Sequence, residues 1–548
     1  MINNRRGVFY QMSAEWLLYA MIAICFSICP VFRMHAFSAS TKQVRLIVTS
    51  DLHGWMSTSL VYPDEKRKGL LHIEKGIRQA RLEDPDLILL DAGDLLQGSP
   101  LVSFFHRAYQ DPVAEDLFFK TFQSLTYDAV VVGNHDLGIN PLLETKYRPA
   151  SQFPWLAANL FLNSQPAFTP YIILHRFGLK IAVIGFSTPG AHMWLGEKQM
   201  MGIVCKPITT SAAYWVKTVK SRERPDLIIG IFHAGIYPFW DDENSKLNRL
   251  PPANSVMETI KKNAAFDLVI TGHDHRLVPS RTGRQIRYVR TTPVVQGGRW
   301  GEAFIDLNLK LALSKKRWRV VDIKHRIQLA SQQDYIKSDY RRQLPEDYLA
   351  YIQAPLPYMF TKTSKPSATR CLNLLNALAH SETGVTGSLL PKVRIYKFSG
   401  HVGKRLRRLD LLRWFRYDNK TVTVLLSLRD IQMLTRPEPE FGRRRVPGNR
   451  LLFPYFRRKL PDFKSNGWWL DHSGFDRIYL VKVSDYHFNG GGGVFPQLFL
   501  PPDQAFEPSL VSIHDHLFEY LKQVPELPKE CSSLQYIGHE SKVESAVH

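Results

Sequence analysis

Five short apolar runs in the first three hundred residues each end in polar side chains. The run 130–132 holds only β-branched residues, which predicts a strand buried on both faces, and Gly133 predicts a sharp turn beyond it. The side chains that follow the five runs are Asp51 and His53, Asp94, Asn134 and His135, His233, and His273 and His275. Because the C-terminal ends of parallel strands share one edge of an open α/β sheet, we expect these side chains to converge.

Stretches with helical periodicity separate these runs, at 71–82, 114–125 and 211–220. This alternation predicts an α/β domain over residues 43–328, which closes with strands within 290–307. A polar stretch at 329–346 predicts a linker. The rest, residues 347–548, predicts a second, smaller α+β domain with a helix at 368–379 and strands at 421–426 and 477–483. A chain of 548 residues is long enough for two or three domains.

The N-terminal region has the features of an export signal. Arg5 and Arg6 precede an apolar stretch at 16–32, and 36–38 is a small-x-small site suited to signal peptidase. We interpret residues 1–38 as a signal peptide, which predicts a periplasmic or extracellular protein. An uncleaved membrane anchor is the alternative, because the apolar stretch approaches the length that spans a bilayer. The three cysteines that follow, Cys205, Cys371 and Cys531, permit one disulfide at most.

Composition and charge indicate a globular protein that attracts anions. Hydrophobic residues make up 44% of the chain and charged residues 22%. The formal net charge is +21, and residues 391–460 hold 19 Lys and Arg against 5 Asp and Glu. Such a field attracts a phosphorylated substrate, nucleic acid or an anionic membrane surface, and a merely solvated basic face is the alternative.

The side chains after the strands have the chemistry of metal ligands. Carboxylates, one amide oxygen and imidazoles fit Zn, Mn or Fe, whereas an all-oxygen set would fit Mg or Ca better. Each motif alone is weak evidence for a metal site, but the ordered set at five predicted strand ends is strong evidence. The candidate ligands are Asp51, His53, Asp94, Asn134, His233, His273 and His275.

The order Asp51-x-His53, Gly93-Asp94, Gly133-Asn134-His135-Asp136, His233, Gly272-His273-x-His275 resembles the calcineurin-like metallophosphoesterases. The length and the N-terminus resemble their 5'-nucleotidase and 2',3'-cyclic-nucleotide 2'-phosphodiesterase family. This resemblance implies a metallophosphoesterase α/β sandwich domain followed by a smaller nucleotidase-type α+β domain. It also implies two divalent metals, one held by Asp51, His53 and His275, the other by Asn134, His233 and His273, with Asp94 bridging.

The resemblance also assigns the catalytic role of His135. This residue would stand beside the phosphate without a metal and stabilise the transition state or protonate the leaving alkoxide, while the metals activate a hydroxide for attack on phosphorus. Asp136 and Asp274 are the candidates that orient ligating imidazoles. Many family members orient the catalytic His with an Asp or Asn at the position that is Gly138 here, so the partner of His135 is missing or comes from elsewhere.

The C-terminal half offers residues that suit a nucleobase. By the same resemblance, a base would stack between Phe488 and Trp468 or Trp469, and each stack contributes roughly 1 to 3 kcal/mol. The glycine-rich segment Asn489, Gly490 and Gly491 would approach the substrate closely. The alternative is that these aromatic side chains belong to the core.

We therefore expect an exported dinuclear phosphoesterase that hydrolyses 2',3'-cyclic nucleotides, 5'- or 3'-nucleoside monophosphates, or both. The alternatives are a hydrolase of the same fold that acts on UDP-sugars or other non-nucleotide substrates, and a relative that binds a nucleotide or anion without turnover. The basic segment 391–460 leaves an anionic membrane surface as a second partner. Polymeric nucleic acid and an obligate protein partner are not expected.

Overall fold

The computed structural model describes residues 40–57, 69–108, 116–195, 197–237, 251–263, 265–280, 285–314, 316–330, 344–360, 365–380, 387–391, 405–414, 419, 421–427, 452–456, 478–484, 512–524, 526–527, 531 and 534–536. The predicted signal peptide lies outside these residues. Among the described helices, none is long and apolar enough to cross a membrane.

Strands and helices alternate through the first 330 residues, as the sequence pattern predicts. The strands are β1 Thr41–Thr49, β2 Ile88–Asp91, β3 Ala129–Val131, β4 Trp155–Leu156, β5 Leu160–Leu162, β6 Gln165–Pro166, β7 Tyr171–Arg176, β8 Leu179–Ser187, β9 Val204–Cys205, β10 Leu227–His233, β11 Leu268–Thr271, β12 Leu277–Val278, β13 Arg287–Val289, β14 Thr292–Gly297, β15 Ala303–Ser314 and β16 Arg317–Leu329. The helices are α1 Leu70–Glu83, α2 Pro100–Ala108, α3 Leu117–Gln123, α4 Asn134–Gly138, α5 Arg148–Ala150, α6 Ala191–Trp194, α7 Glu197–Met200, α8 Ile208–Arg222 and α9 Val256–Lys262, with a π-helical turn at Leu143–Tyr147.

Helix α3 begins later than the sequence pattern predicts. The carboxylate of Asp116 accepts the main-chain N–H of Phe119 and so caps the helix, which therefore starts at Leu117 rather than near residue 114.

Two large mixed sheets build this part of the chain, beside a small three-stranded sheet of order β6-β5-β9. The first has the order β16-β15-β1-β2-β3-β4, and the second runs β12-β14-β11-β10-β8-β7, with β13 paired to β14. Strands β1, β2, β3 and β4 are parallel to one another, and so are β8, β10, β11 and β14. The C-terminal ends of β1, β2, β3, β10 and β11 are those that carry the polar side chains singled out above.

Alternation along β1 explains how the layers pack. Val44, Leu46 and Val48 face a buried cluster shared with β8, β10, β11 and β15, which lies between the two sheets. Ile47 points to the opposite face, where α1, α2 and α3 cover the first sheet. Helices α8 and α9 cover the outer face of the second sheet. The result is an α/β sandwich, which confirms the predicted fold class.

The second half of the chain has its own sheets and helices. Its strands are β17 Pro355–Phe360, β18 Gly387–Pro391, β19 Arg405–Arg407, β20 Thr421–Ser427, β21 Leu452–Phe456, β22 Ile478–Ser484 and β23 Leu534–Tyr536, and its helices are α10 Glu346–Gln353, α11 Lys365–Ala379, α12 Arg408–Trp414 and α13 Ile513–Gln523. The sheet orders are β19-β17-β23 and β20-β22-β18-β21. The predicted boundaries of the domains and of the linker remain predictions, and residues 331–343 of the linker lie outside the described residues.

Helix α2 joins the two halves. The ring of Phe104 lies 5.2 Å from that of Tyr348 on α10 and 5.3 Å from that of Tyr351. Arg107, one turn further along α2, forms an ion pair with Asp515 on α13, and Arg408 on α12 pairs with the other oxygen of the same carboxylate. Two aromatic contacts and one ion pair therefore hold α2 against α10 and α13, and the shared carboxylate of Asp515 links α12 to the same place.

The second half contains a disulfide. Cys371 on α11 and Cys531 are bonded, with their Cα atoms 4.7 Å apart and a sequence separation of 160. Cys205 is a free, buried thiol. The bond therefore fixes the C-terminal segment to α11.

Removing this disulfide should destabilise the second half of the chain. Replacing Cys371 and Cys531 together by Ala should lower the free energy of unfolding by about 2–4 kcal/mol, because a long loop is no longer closed in the unfolded chain. Urea unfolding of the oxidised wild type and the double variant measures the difference. A reductant should bring the wild type to the value of the variant and leave the variant unchanged; equal stability of the oxidised proteins would contradict the prediction.

Candidate metal centre

The polar side chains at the strand ends converge on one edge of the sandwich. Asp51 and His53 follow β1, Asp94 follows β2, and Asn134 opens α4 shortly after the end of β3. His233 is the last residue of β10, while His273 and His275 follow β11. All seven side chains that the sequence analysis singled out as ligands lie in this cluster, and their assignment to metals remains a prediction.

The backbone at this edge is strained. Five of the seven candidate ligands have positive φ angles between 51° and 78°, namely Asp51, His53, Asp94, His273 and His275. A non-glycine residue in this region costs about 1–3 kcal/mol, and such residues cluster at functional sites. These backbone conformations therefore destabilise the folded state, but they direct the five side chains towards a common centre.

Two groups of ligand atoms share one carboxylate. In the first group, single ligand atoms of Asp51, His53, Asp94 and His275 all lie within 4.8 Å of one another. The Nε2 atoms of His53 and His275 are 2.9 Å apart, and His275 Nε2 is 3.5 Å from Asp51 Oδ1. In the second group the same holds for Asp94, His233 and His273. Asp94 belongs to both groups, as expected of a bridging ligand.

Asn134 joins the second group through His233. The Nε2 atom of His233 lies 3.2 Å from Asn134 Oδ1 and 3.2 Å from Asp94 Oδ2. Gly133, just before Asn134, allows this approach, because a Cβ atom there would come within 2.1 Å of Asp94 Oδ1. The main-chain N–H of His135 donates to that oxygen at 2.8 Å. Glycine is therefore required where β3 meets the Asp94 loop.

Main-chain carbonyls fix the orientation of two imidazoles. His233 Nδ1 donates to the carbonyl oxygen of Ala92 at 2.8 Å, and His53 Nδ1 donates to that of Gln97 at 2.6 Å. A carbonyl only accepts, so Nδ1 carries a proton in both rings, and each ring in its neutral form has its lone pair on Nε2, which faces the cluster. This is the tautomer that ligation through Nε2 requires.

The expectation that Asp136 and Asp274 orient the imidazoles is wrong. Asp136 is fully buried and accepts four main-chain N–H groups, those of Asp94, Leu95, Leu96 and Gly133, at 2.9–3.0 Å. Asp274 accepts from Gln296 Nε2 at 2.6 Å and pairs with Arg276. Asp136 therefore ties the loop after β2 to the turn after β3, because carboxylates satisfy unpaired N–H groups well.

The electrostatics of the cluster fit a cation. Burial lowers the pKa of His53 to about 4, of His273 to about 3 and of His275 to about 2, so these rings are neutral ligands at neutral pH. Burial also opposes charge on His233, but the Asp94 carboxylate outweighs it and raises the pKa of His233 to about 10. Without another cation, His233 compensates the charge of Asp94.

The pKa values of the two carboxyl groups shift in opposite directions, although burial raises both. Burial raises the pKa of Asp51 well above its ordinary value. Burial acts in the same direction on Asp94, but His233 and then His135 outweigh it and hold the pKa of Asp94 well below its ordinary value. Converging imidazole nitrogens and buried carboxylates thus form two groups of side chains able to hold metal ions, Asp51, His53, Asp94 and His275 in one and Asp94, His233 and His273 in the other.

His135 lies beside the cluster without belonging to either ligand group. Its ring centroid is 5.0 Å from that of His53, and it is partly exposed at the rim. Burial lowers its pKa and the Asp94 carboxylate opposes this shift. His135 Nδ1 lies 2.7 Å from Gln97 Oε1, a partner that the sequence analysis did not identify.

Two tryptophans also lie at the site. The indole of Trp194 stacks on His273, with ring centroids 5.1 Å apart and planes at 19°. The main-chain N–H of Trp300 donates to the carbonyl oxygen of Asp51 at 2.8 Å, and its ring lies 6.1 Å from that of His275. The glycines around Trp300 were the only sequence signal for it, and Trp194 had none.

The predicted substrate residues cannot be placed against this site. Trp468, Trp469, Phe488, Asn489, Gly490 and Gly491 all lie outside the described residues. So does most of the basic segment 391–460.

Comparison with known proteins bears on the same residues. The family model described as calcineurin-like phosphoesterase matches residues 44–277, which contain every candidate ligand. This part of the chain is a calcineurin-like phosphoesterase domain.

Curated relatives match the chain over part of its length. The chain is 27% identical over 338 residues to the trifunctional nucleotide phosphoesterase protein YfkN of Bacillus subtilis, which is 57% of this chain and 22% of that protein. It is 25% identical over 306 residues to a 2',3'-cyclic-nucleotide 2'-phosphodiesterase/3'-nucleotidase of Yersinia enterocolitica, which is 52% of this chain and 46% of that protein. The chain thus matches less than half the length of either relative.

Solved structures resemble the chain over both halves. A 5'-nucleotidase precursor from Thermus thermophilus matches with a TM-score of 0.61 and 16% identity, over 88% of this chain and 96% of that one. A Staphylococcus aureus structure named as a putative 5'-nucleotidase matches with a TM-score of 0.67 and 17% identity, over 88% and 97%. At this identity the likeness concerns the fold, a phosphoesterase domain followed by a C-terminal domain.

Loss of the Asp136 carboxylate should loosen the site. Asp136→Ala leaves four buried N–H groups without their acceptor, so we expect the free energy of unfolding to fall by at least about 3 kcal/mol. Urea unfolding measures this. Asp274→Ala is the matched control, since Asp274 is only half-buried and should cost less than half as much. Equal losses in the two variants would count against the role of Asp136.

Metal binding should release protons. Because the pKa of His233 is raised to about 10, the ring is charged at pH 7 in the metal-free protein and must lose a proton to become a ligand. Affinity should therefore rise with pH below about 10, roughly tenfold per pH unit for each proton released. Calorimetry of Mn²⁺ binding in buffers of different ionisation enthalpy counts these protons. His233→Asn should release at least one fewer; a buffer-independent enthalpy in the wild type would refute the prediction.

Proposed function

We propose that this protein is an exported dinuclear-metal phosphoesterase that hydrolyses nucleotides. The substrates would be 2',3'-cyclic nucleotides, 3'- or 5'-nucleoside monophosphates, or both classes. The observation that carries the proposal is the position of Asp94, whose carboxylate belongs to both groups of converging ligand atoms at the strand ends. A shared, buried carboxylate suits a pair of ions rather than one.

The donor set guides the choice of metal. Four imidazoles, two carboxylates and one amide oxygen favour Mn, Zn or Fe over an all-oxygen ion such as Ca. Two such ions would polarise the phosphoryl oxygens and activate the attacking water. The protein itself holds the ligands rigidly, through the carbonyls of Ala92 and Gln97 and the main-chain clamp of Asp136.

His135 supplies the groups that act on the ester. Its main-chain N–H is committed to Asp94, which fixes the start of α4, so its ring stands at the rim beside the ligands. Nδ1 is engaged by Gln97, and Nε2 is therefore the atom that would face the phosphate. From there it would bind a phosphoryl oxygen or return a proton to the departing alkoxide.

Two observations support the finer parts of the proposal. The curated relatives from Bacillus subtilis and Yersinia enterocolitica are named as enzymes that act on nucleotides, which supports a nucleotide as the substrate. The disulfide between Cys371 and Cys531 suits an oxidising compartment outside the cytoplasm, in agreement with the predicted signal peptide.

A substrate screen tests this function. The purified chain, loaded in turn with Mn²⁺ and Zn²⁺, is given 2',3'-cyclic AMP, 3'-AMP, AMP and UDP-glucose, and products are followed by chromatography and by released phosphate. We expect nucleotide turnover that a chelator abolishes and added metal restores. Because Asp94 serves both ligand groups, Asp94→Asn should lower kcat/KM by at least about 100-fold.

The control is Asp322→Asn, which changes an exposed carboxylate on β16 and should leave turnover unaffected. Turnover of UDP-glucose alone would move the substrate away from nucleotides while keeping the metal chemistry. Nucleotide binding that is equal in wild type and Asp94→Asn, with no product from either, would replace the proposal by a binding role.

A further inference from the structure

His135 needs a partner on Nδ1 to do the work proposed for it. The two ring nitrogens of a histidine are distinct, and the hydrogen bond made by one decides which way the other points. The resemblance described above places that partner at position 138, where this chain has glycine. The question is therefore what holds the ring of His135.

The structure supplies a side chain from a different loop. Gln97 lies between β2 and α2, and its Oε1 atom is 2.7 Å from His135 Nδ1. An amide oxygen only accepts, so the proton lies on Nδ1 and the Nε2 atom is directed away from Gln97. The amide thus fixes the tautomer and the rotation of the ring without adding a charge.

Gly138 makes room for this arrangement. A Cβ atom at position 138 would lie 2.9 Å from Gln97 Oε1, closer than real Cβ contacts come. The glycine is not needed for its backbone conformation, because its φ is not positive. A side chain at 138 and the amide of Gln97 therefore compete for the same volume, and in this chain the amide occupies it.

The main chain of Gln97 is itself held in place. Its carbonyl oxygen accepts from His53 Nδ1 at 2.6 Å, so the same residue contacts a candidate ligand and the candidate catalytic histidine. Asp136 holds the N–H groups of Leu95 and Leu96 just before it. Ser99 Oγ, just after it, donates to the carbonyl of Gly54 at 2.6 Å. The side chain thus projects from a loop that is fixed at several points, as a preorganised site requires.

We propose that Gln97 is the positioning residue of His135, and that it replaces the orienting side chain that position 138 lacks. The inference rests on the proposed phosphoesterase function for its catalytic consequence. The hydrogen bond itself is a separate claim, and it can be tested without turnover.

The kinetic test uses Gln97→Leu, which keeps the bulk of the side chain and removes the acceptor. With the best substrate of the screen, kcat should fall about 10–100-fold while KM and the metal content change little, because the ligands are held by main-chain groups. In a His135→Ala background the same change should have no further effect, since the two residues act as one unit. Gln79→Leu, on the exposed face of α1, is the matched control and should keep wild-type activity.

A relocated partner provides the rescue. Gly138→Asp in the Gln97→Ala background places a carboxylate in the vacated volume, and it should recover at least about tenfold of the lost kcat, which a merely structural role of Gln97 would not allow. Gly138→Ala alone should lower kcat, because its methyl group displaces the Gln97 amide. Additive effects of Gln97→Leu and His135→Ala, or no loss in Gln97→Leu, would overturn the proposal.

The closing experiment separates this proposal from the proposed function. Long-range ¹H–¹⁵N spectra of histidine-labelled protein, with the His135 signals identified from His135→Ala, report the tautomer of the ring directly. We expect the Nδ1–H form in wild type and its loss in Gln97→Leu. An unchanged tautomer would overturn the role of Gln97 even in an active enzyme. An inactive wild type with the expected tautomers would instead overturn only the phosphoesterase function.

Discussion

The buried carboxylate of Asp94 is the constraint on which the site depends. A charge removed from water must be compensated by ions, hydrogen bonds or both, otherwise it destabilises the fold severely. Here one oxygen takes the N–H of His135, and the other lies near the Nε2 atoms of His233 and His53. The glycine at 133, the positive charge of His233 and the turn after β2 all follow from accommodating this one group.

The backbone adds a second layer to the same constraint. Positive φ angles at Asp51, His53, Asp94, His273 and His275 turn the chain back immediately beyond the strands, so that short side chains reach a common centre. These strained conformations persist only because the surrounding hydrogen bonds and packing hold the backbone in place. The carboxylate of Asp136 is part of that enforcement, since it fastens the loop after β2 to the turn after β3.

The sequence pattern predicts which side chains converge at the strand ends, but it does not predict the residues that hold them in place. Apolar runs followed by Asp, Asn or His are local signals, and the rule that parallel strand ends share an edge brings His233 next to Asp94 without any structure. The helix starting at Leu117 was predicted with the wrong boundary, because the cap by Asp116 is a matter of side-chain geometry.

The sequence does not reveal the residues that hold the ligands and His135 in place, and the reason is physical. Asp136 satisfies main-chain groups that are 40 to 42 residues away, and Gln97 reaches a histidine 38 residues away, and neither contact leaves a periodicity or a motif. A lone glutamine on a loop is typical of a solvated side chain. The sequence showed only that position 138 has no side chain to orient His135. It indicated that His135 needs another partner, but not which residue supplies it.

Helix α2 gives the second half of the chain a mechanical connection to the chemistry. It begins at Pro100, three residues after Gln97, and its far end is gripped by the ring of Tyr348 and the carboxylate of Asp515. The loop that orients His135 therefore continues directly into α2, and α2 in turn contacts the C-terminal helices. A displacement of the C-terminal helices would shift α2 and, with it, the loop that holds Gln97. The orientation of the His135 ring would then depend on how the two halves of the protein pack against each other.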